Sequence, residues 1–205
     1  MSNFDLALSV ALGVALAAST GFRVFLPMLI AGGAAYTGYL PVDESFSWLG
    51  TPLALTMLGV AALVEIVAYY VPGIDNLLDT LSAPAALVAG TVLSAAVMTD
   101  LPPMVKWTAA IVAGGGAAGL THGLTSLLRA KSTIFTGGIG NSAVATAELG
   151  GAFVLPLLAL VAPLIALGII LLLLWTAIRV LRRLRQSAKG APSAPPSGPG
   201  GPMMR

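Results

Sequence analysis

Apolar residues in this chain do not alternate with polar ones; they come in long blocks joined by short polar segments. A helix needs about 20 apolar residues to cross a hydrocarbon core of about 30 Å. Six blocks approach that length: residues 6–34, 51–71, 84–99, 104–128, 144–161 and 163–185. This spacing predicts an all-α, polytopic transmembrane helical bundle of six spans. The third block is short, and the last two are parted by little more than Ala162-Pro163. One long tilted helix there would leave five spans, but about 40 apolar residues exceed any single crossing. Leu6–Ala18 has the length of a signal-peptide core. Asp5 is the only charge ahead of it, however, and apolar character resumes after Arg23, so a retained membrane helix is expected.

Six spans also allow two inverted halves of three. A shift of 101 residues aligns Gly13 with Gly114, Ala17 with Ala118, Thr20 with Thr121 and Leu26 with Leu127. On that reading both stretches break at small polar residues near mid-span, and Gly21–Arg23 and Thr121–Gly123 face each other.

Composition narrows the class. Of 205 residues, 57% are hydrophobic in type and 9% charged, with no Cys, and mean hydropathy is +0.95. A soluble domain carries about a quarter charged residues, so soluble enzymes, nucleic-acid binders and disulfide-stapled domains are excluded as classes. The net charge of +2 is unevenly divided. Residues 1–178 hold Arg23, Lys106, Arg129 and Lys131 against all eight acids, whereas six basic residues and no acid follow from Arg179. Basic residues mark the cytoplasmic side of short loops, so the C-terminus is expected in the cytoplasm and, with six spans, the N-terminus too. The 129–143 connection then lies inside and the 35–50 loop outside; Lys106, near the outer face, is the exception. Residues 1–186 form the expected transmembrane domain, and 187–205 a disordered Pro/Gly/Ser-rich cytoplasmic tail.

An ionisable side chain inside a span costs about 2.5–3.5 kcal/mol on insertion scales, so each needs a reason. Arg23 lies between Gly21 and Pro27, where the helix is weak and Ser19 and Thr20 can satisfy freed backbone groups. It is either an anion or headgroup contact at a broken helix or the partner of a buried acid. Glu65 lies deep in the second block, with Arg23 as its expected partner; it either carries a proton or coordinates a cation, or forms a static pair. Asp75 and Asp79, around Asn76, are spaced i, i+4 between Pro72-Gly73 and Pro84. A short interfacial helix over 72–83 would show both carboxylates on one face. The spacing resembles one Asp pair of the magnesium sites in membrane prenyltransferases, without the second cluster. His122 sits among Thr121, Thr125 and five glycines that allow close helix approach. With one His and no Cys, zinc is not expected, and no cofactor is assigned. Thr136, Gly137, Gly138, Gly140 and Asn141 form a Gly-rich segment whose amides suit an anion; 132–142 is either a re-entrant element or a plain loop. Glu148 enters the fifth span facing Arg23, Arg129 or Lys131.

Several strings occur together in order: Thr20-Gly-Phe-Arg-Val-Phe-Leu-Pro27, Trp48-Leu-Gly50, Pro72-Gly-Ile-Asp-Asn-Leu-Leu-Asp79, Asp100-Leu-Pro-Pro103, Ala113-Gly-Gly-Gly-Ala-Ala-Gly119 and Ser132-Thr…Thr136-Gly-Gly-Ile-Gly-Asn141. As a set they resemble the bacterial DUF4126 family of small integral membrane proteins, from about Leu8 to Leu174. The resemblance implies a multi-pass protein of the bacterial inner membrane and supplies no substrate and no catalytic residues.

Three functions follow from the residues themselves. The first is a small ion or small-solute transporter or channel, whose Gly-rich faces suit a homodimer. Arg23, Glu65, His122, Thr20 and Thr121 would line its path, with Asp75, Asn76, Asp79 and Glu148 at the cytoplasmic mouth. The second is a magnesium-dependent membrane enzyme acting on a lipid-phosphate. The third is a non-catalytic scaffold whose buried polar groups only pack. The expected partners are membrane lipids and a small ion or solute, and no nucleic acid.

Overall fold

The computed structural model describes residues 3–71 and 74–189. Among them the regular structure is helical: α1 (Asn3–Thr20), α2 (Phe25–Tyr36), a 3-10 turn (Glu44–Gly50), α3 (Pro52–Ala68), α4 (Ile74–Val97), α5 (Pro103–Ala109), a π-helical segment (Ala110–Gly115), α6 (Gly116–Thr136), α7 (Asn141–Val161) and α8 (Pro163–Lys189). Three of the resulting stretches are long and apolar enough to cross a membrane: Leu77–Val97, Pro103–Thr136 and Asn141–Val161. A fourth is reached if the 3-10 turn and α3, bent by 62°, count as one.

The exposure pattern is inverted relative to a soluble protein. Leu53, Met57, Val60, Leu63, Val64 and Val67 of α3, and Leu164, Ile165, Leu171, Leu172 and Trp175 of α8, lie exposed. Arg23, Glu65, His122, Arg129 and Glu148 are buried. In water that arrangement loses both apolar burial and charge hydration; in lipid both signs reverse.

α1 lies at the centre, against α4, α6, α7 and α8. Small residues let it approach α4 closely. A Cβ at Gly13 would come 3.0 Å from Ser94 Oγ and Met98 Cε, and one at Gly90 would meet Ala118 and Thr20. The glycines of the 113–119 run act the same way within the chain: Gly114 packs on Ser94, Gly115 on Thr91 and Gly119 on Leu87.

The first apolar block does not carry the chain across as a single span. Gly13 is level with the last turns of α4, whereas Thr20 is bonded to Ala86 nearer its start. The chain breaks over 21–24 and α2 returns: Gly32 and Tyr36 meet Leu49 and Gly50, and the Asp43 amide reaches the Ala96 carbonyl. α1 and α2 thus form a hairpin with both open ends near the C-terminus of α4. At the other end of the last pair, Phe22 lies against Gly151 of α7 and beside Ile170, Leu173 and Leu174 of α8. Hence α7 and α8 fold back on each other about Ala162 and are separate helices.

Other expectations are corrected. The segment 72–83 is not a separate interfacial element: residues 74–83 are the first turns of α4, which runs through Pro84. A proline inside a helix forfeits one backbone bond, while stopping the helix would strand several in a nonpolar medium. The segment 132–142 is not re-entrant, since α6 continues to Thr136 and α7 begins at Asn141, leaving the turn Gly137–Gly140. α6 also runs unbroken through Thr121–Gly123, so the predicted counterpart to the break at Gly21–Arg23 is missing. The irregularity on that side is the π-helical turn at Ala110–Gly115. α8 extends to Lys189, and residues 190–205 of the predicted tail lie outside the described residues.

Candidate functional site at the helix break

The break begins with close backbone approach. A Cβ at Gly21 would collide with the Ala118 carbonyl oxygen and sit 2.5 Å from Thr121 Cβ, so α6 presses directly on the end of α1. Thr20 Oγ1 donates to the carbonyls of Ala17 at 2.7 Å and Ala86 at 3.1 Å.

α2 has no capping side chain of its own. Glu65 of α3 supplies the cap: its Oε1 accepts from the Val24 amide at 2.8 Å and its Oε2 from the Phe25 amide at 3.0 Å. The first amides of a helix have no internal partner and carry the positive end of its dipole. A carboxylate brought from another helix answers both needs. The expected Arg23–Glu65 pair is therefore replaced by a carboxylate–backbone contact.

Arg23 turns instead toward α7. Its Nη2 donates to the Ala145 carbonyl at 3.2 Å and lies 3.6 Å from Glu148 Oε2. Arg129 of α6 donates from Nη2 to the same Glu148 oxygen, and its Nε lies 3.4 Å from Asp79 Oδ2 of α4. Both guanidinium groups rest on the ring of Tyr69, the C-cap of α3, at 3.5 Å and 4.4 Å from its centroid. Ring contact of this kind stabilises a desolvated cation by about 2 kcal/mol. The Tyr69 hydroxyl donates to Ser82 Oγ of α4 at 3.1 Å. His122, one turn pair before Arg129 on α6, places Nε2 3.1 Å from the Asp79 carbonyl.

This centre gathers Arg23, Glu65, Asp79, His122 and Glu148 from the sequence candidates, with Thr20 and Thr121 beside the break. Arg129, expected at the start of the 129–143 connection and named among three possible partners of Glu148, lies within α6 and does pair with Glu148. The heptad spacing of His122 and Arg129 was the available signal, as was the i, i+4 spacing of Glu65 and Tyr69. Nothing in the sequence pointed to Ser82. Asp75 and Asn76 lie on α4, but their side chains fall outside the described residues. Asp79 faces Arg129. Among the described residues no group of three His, Asp or Glu is placed to hold a metal ion.

The Gly-rich candidates lie apart, at the α6–α7 turn. Gly137 and Gly138 take positive φ of 62° and 94° there. The amides of Ile139 and Asn141 bond to carbonyls within the turn, and the Gly140 amide is taken by Thr136 Oγ1. Asn141 Nδ2 donates to Thr133 Oγ1 at 2.9 Å. The turn closes on itself and does not present these three amides to a ligand.

At the opposite end Lys106 Nζ meets Asp43 Oδ2 at 2.6 Å, while Asp43 also accepts from the Ser45 amide. The Lys106 hydrogen bond, then the Ser45 amide, hold the Asp43 carboxyl below its ordinary range. Lys106, anomalous as a topology signal, is thus a local ion-pair partner.

Beside the cluster, α3 and α4 diverge around an apolar groove of about 680 Å³, with Glu65 and Ser82 among residues such as Val64, Leu78 and Leu81.

No curated protein and no solved structure matches the chain. A family model matches residues 10–183, a span that includes every member of the ion cluster from Arg23 to Glu148. This helical chain, with its three or four candidate membrane spans, belongs to the family described as Domain of unknown function (DUF4126).

Proposed function

We propose that this protein is a multi-pass protein of the bacterial inner membrane that moves a small ion or solute past the buried polar cluster of Arg23, Arg129 and Glu148. The observation that carries the reading is a buried ion cluster built on a helix break. Five side chains, Arg23, Tyr69, Asp79, Arg129 and Glu148, converge there from the break, α3, α4, α6 and α7. Burying that many ionisable groups is costly, and in membrane proteins such groups mark ion and proton pathways. In the topology that fits, α3, α4, α5–α6, α7 and α8 cross and the α1–α2 hairpin dips in from one side. The six apolar blocks then correspond to five crossings and one hairpin. The basic residues after Arg179 put the C-terminus of α8 in the cytoplasm; the N-terminus then lies outside, unlike in the six-span reading.

The test is charge movement on a solid-supported membrane. Proteoliposomes of the wild type, Glu65→Gln and Glu148→Gln are challenged with pH jumps and with panels of small cations and anions. A wild-type current that Glu148→Gln loses supports a carrier. Tracer uptake covers electroneutral exchange; silence in both assays from folded protein sinks the reading.

A scaffold is favoured by one observation, that Arg129 and Glu148 already form an ion pair within the bundle. Exchanging the two residues restores a structural pair and does not restore a transport path.

A further inference from the structure

We infer that Arg23 and Arg129 form an oxyanion site in which the Glu148 carboxylate is the resident occupant, displaced when a small external oxyanion binds. The inference deepens the carrier reading and rests on it for the role of the cluster.

The geometry is that of two guanidinium forks around one anion. Both arginines direct Nη2 at the same Glu148 oxygen, Oε2. The second oxygen, Oε1, has no hydrogen-bond partner among the described residues, nor have Nε and Nη1 of Arg23 or Nη1 of Arg129. Arg23 is 1% and Arg129 2% exposed, so these are deeply buried donors. A single carboxylate thus leaves most of two charged forks unanswered. An unpaired buried donor costs about 1–3 kcal/mol, and more when charged. A guanidinium donates through five N–H groups in a plane, and phosphate, nitrate or carboxylate oxygens match that fork in pairs. A ligand with three or four oxygens therefore satisfies donors that Glu148 alone does not reach.

The surrounding charges fix how exchange can occur. Arg129 from α6, Arg23 from the helix break and Asp79 from α4 act directly on Glu148; behind them His122 lies against the Asp79 carbonyl, Glu65 is within reach of the Arg23 charge, and Tyr69 sits under both arginines. Replacing the carboxylate by an external anion while Glu148 remains ionised adds one negative charge to a low-dielectric site already holding Asp79 and Glu65. Charge is conserved when a proton goes onto Glu148 as the anion enters. The site is thus built to take up an oxyanion together with a proton, and the Tyr69 ring keeps both arginines in place during the exchange.

A free oxyanion and the phosphate of an anionic lipid present the same chemistry. The groove between α3 and α4 offers room for an acyl chain, so the two sources are separated by experiment. Binding to the full-length chain in nonionic detergent is measured by calorimetry with nitrate, inorganic phosphate and dihexanoyl phosphatidate, at pH 6 and pH 8. Wild type should bind a free oxyanion at least tenfold more tightly at pH 6 than at pH 8. Glu148→Gln, which keeps the shape but removes the competing charge, should bind it at least tenfold more tightly than wild type at pH 8 and lose most of the pH dependence. Adding Arg129→Gln to Glu148→Gln should abolish binding. Tight binding of the phosphatidate alone assigns the site to a lipid headgroup and overturns the free-anion part.

The inference is overturned if folded Glu148→Gln, checked by gel filtration and near-ultraviolet circular dichroism, binds no oxyanion better than wild type. It is equally overturned if the double variant still binds. Should Glu148→Gln fail to fold, wild-type thermal stabilisation by phosphate decides: a rise in midpoint at pH 6 that vanishes in Arg129→Lys supports the site, and no rise refutes it. Oxyanion binding without flux would leave the site standing and sink the carrier; flux without oxyanion binding would do the reverse.

Discussion

Removing the Glu65 carboxylate should destabilise the fold at the helix break, without that residue taking part in any ion pair with Arg23. Each carboxylate oxygen accepts one amide at the start of α2, at 2.8 Å and 3.0 Å. A hydrogen bond to a charged group contributes about 1.5–3 kcal/mol, and the Phe25 amide, being only partly buried, falls at the low end. Glu65→Ala should therefore cost about 3–5 kcal/mol. Glu65→Gln keeps one acceptor oxygen but turns an amide nitrogen toward the second N–H, so it should cost about half as much. The assay is thermal unfolding of the purified chain in detergent, followed by fluorescence of its three Trp. Double-mutant cycles with Arg23→Gln complete it. Coupling between Arg129 and Glu148 should reach about 1–3 kcal/mol, while coupling between Arg23 and Glu65 stays near zero. Wild-type stability in Glu65→Ala, or stronger coupling of Glu65 to Arg23 than of Glu148 to Arg129, would refute the capping argument.

Gly21→Ala places a Cβ against the backbone of α6 and should destabilise by about 1–3 kcal/mol, whereas Gly116→Ala, with nothing within 4 Å, should be silent in the same melt. Tyr69→Phe loses the bond to Ser82 and should cost about 1 kcal/mol. Tyr69→Leu also loses the ring beneath two cations and should cost more, by about 2 kcal/mol; equal costs would show that the ring contacts contribute nothing. The Asp43 carboxyl titrates below its unfolded value near 3.9, so its contribution is complete above that value and is lost as pH falls through the folded one. Melting midpoints from pH 3 to pH 7 should therefore separate wild type from Asp43→Asn at neutral pH and converge in acid; a constant gap would show that the Lys106 contact does not depend on that charge.

The membrane class, the helical architecture and most helix locations were legible from local properties. Block length against bilayer thickness and the scarcity of charge act on each segment separately. Residues 51–71, 144–161 and 163–185 contain or nearly coincide with α3, α7 and the apolar part of α8 for that reason. Arg23, Glu65, His122 and Glu148 stood out for the same cause, since each is an expensive residue in an apolar block whatever its neighbours are.

Pairing was not legible in that way. Glu65 and Arg23 looked complementary by charge and depth, yet the strongest demand on Glu65 comes from two backbone amides that exist only because the chain breaks at residues 21–24 and starts again. Whether residues 6–34 cross the membrane or turn back within it depends on α6 pressing against Gly21 and on α3 capping α2. Both contacts lie more than 40 positions away in the chain. Pro84 read as a helix start because local propensity favours one there; the helix continues because a broken backbone has no solvent partner in an apolar surrounding. Hydropathy is a property of single residues and sums along a segment, so it can be read in order. The destination of a buried charge is set by competition among all the groups that packing brings to it, and that competition is decided only after the helices have met.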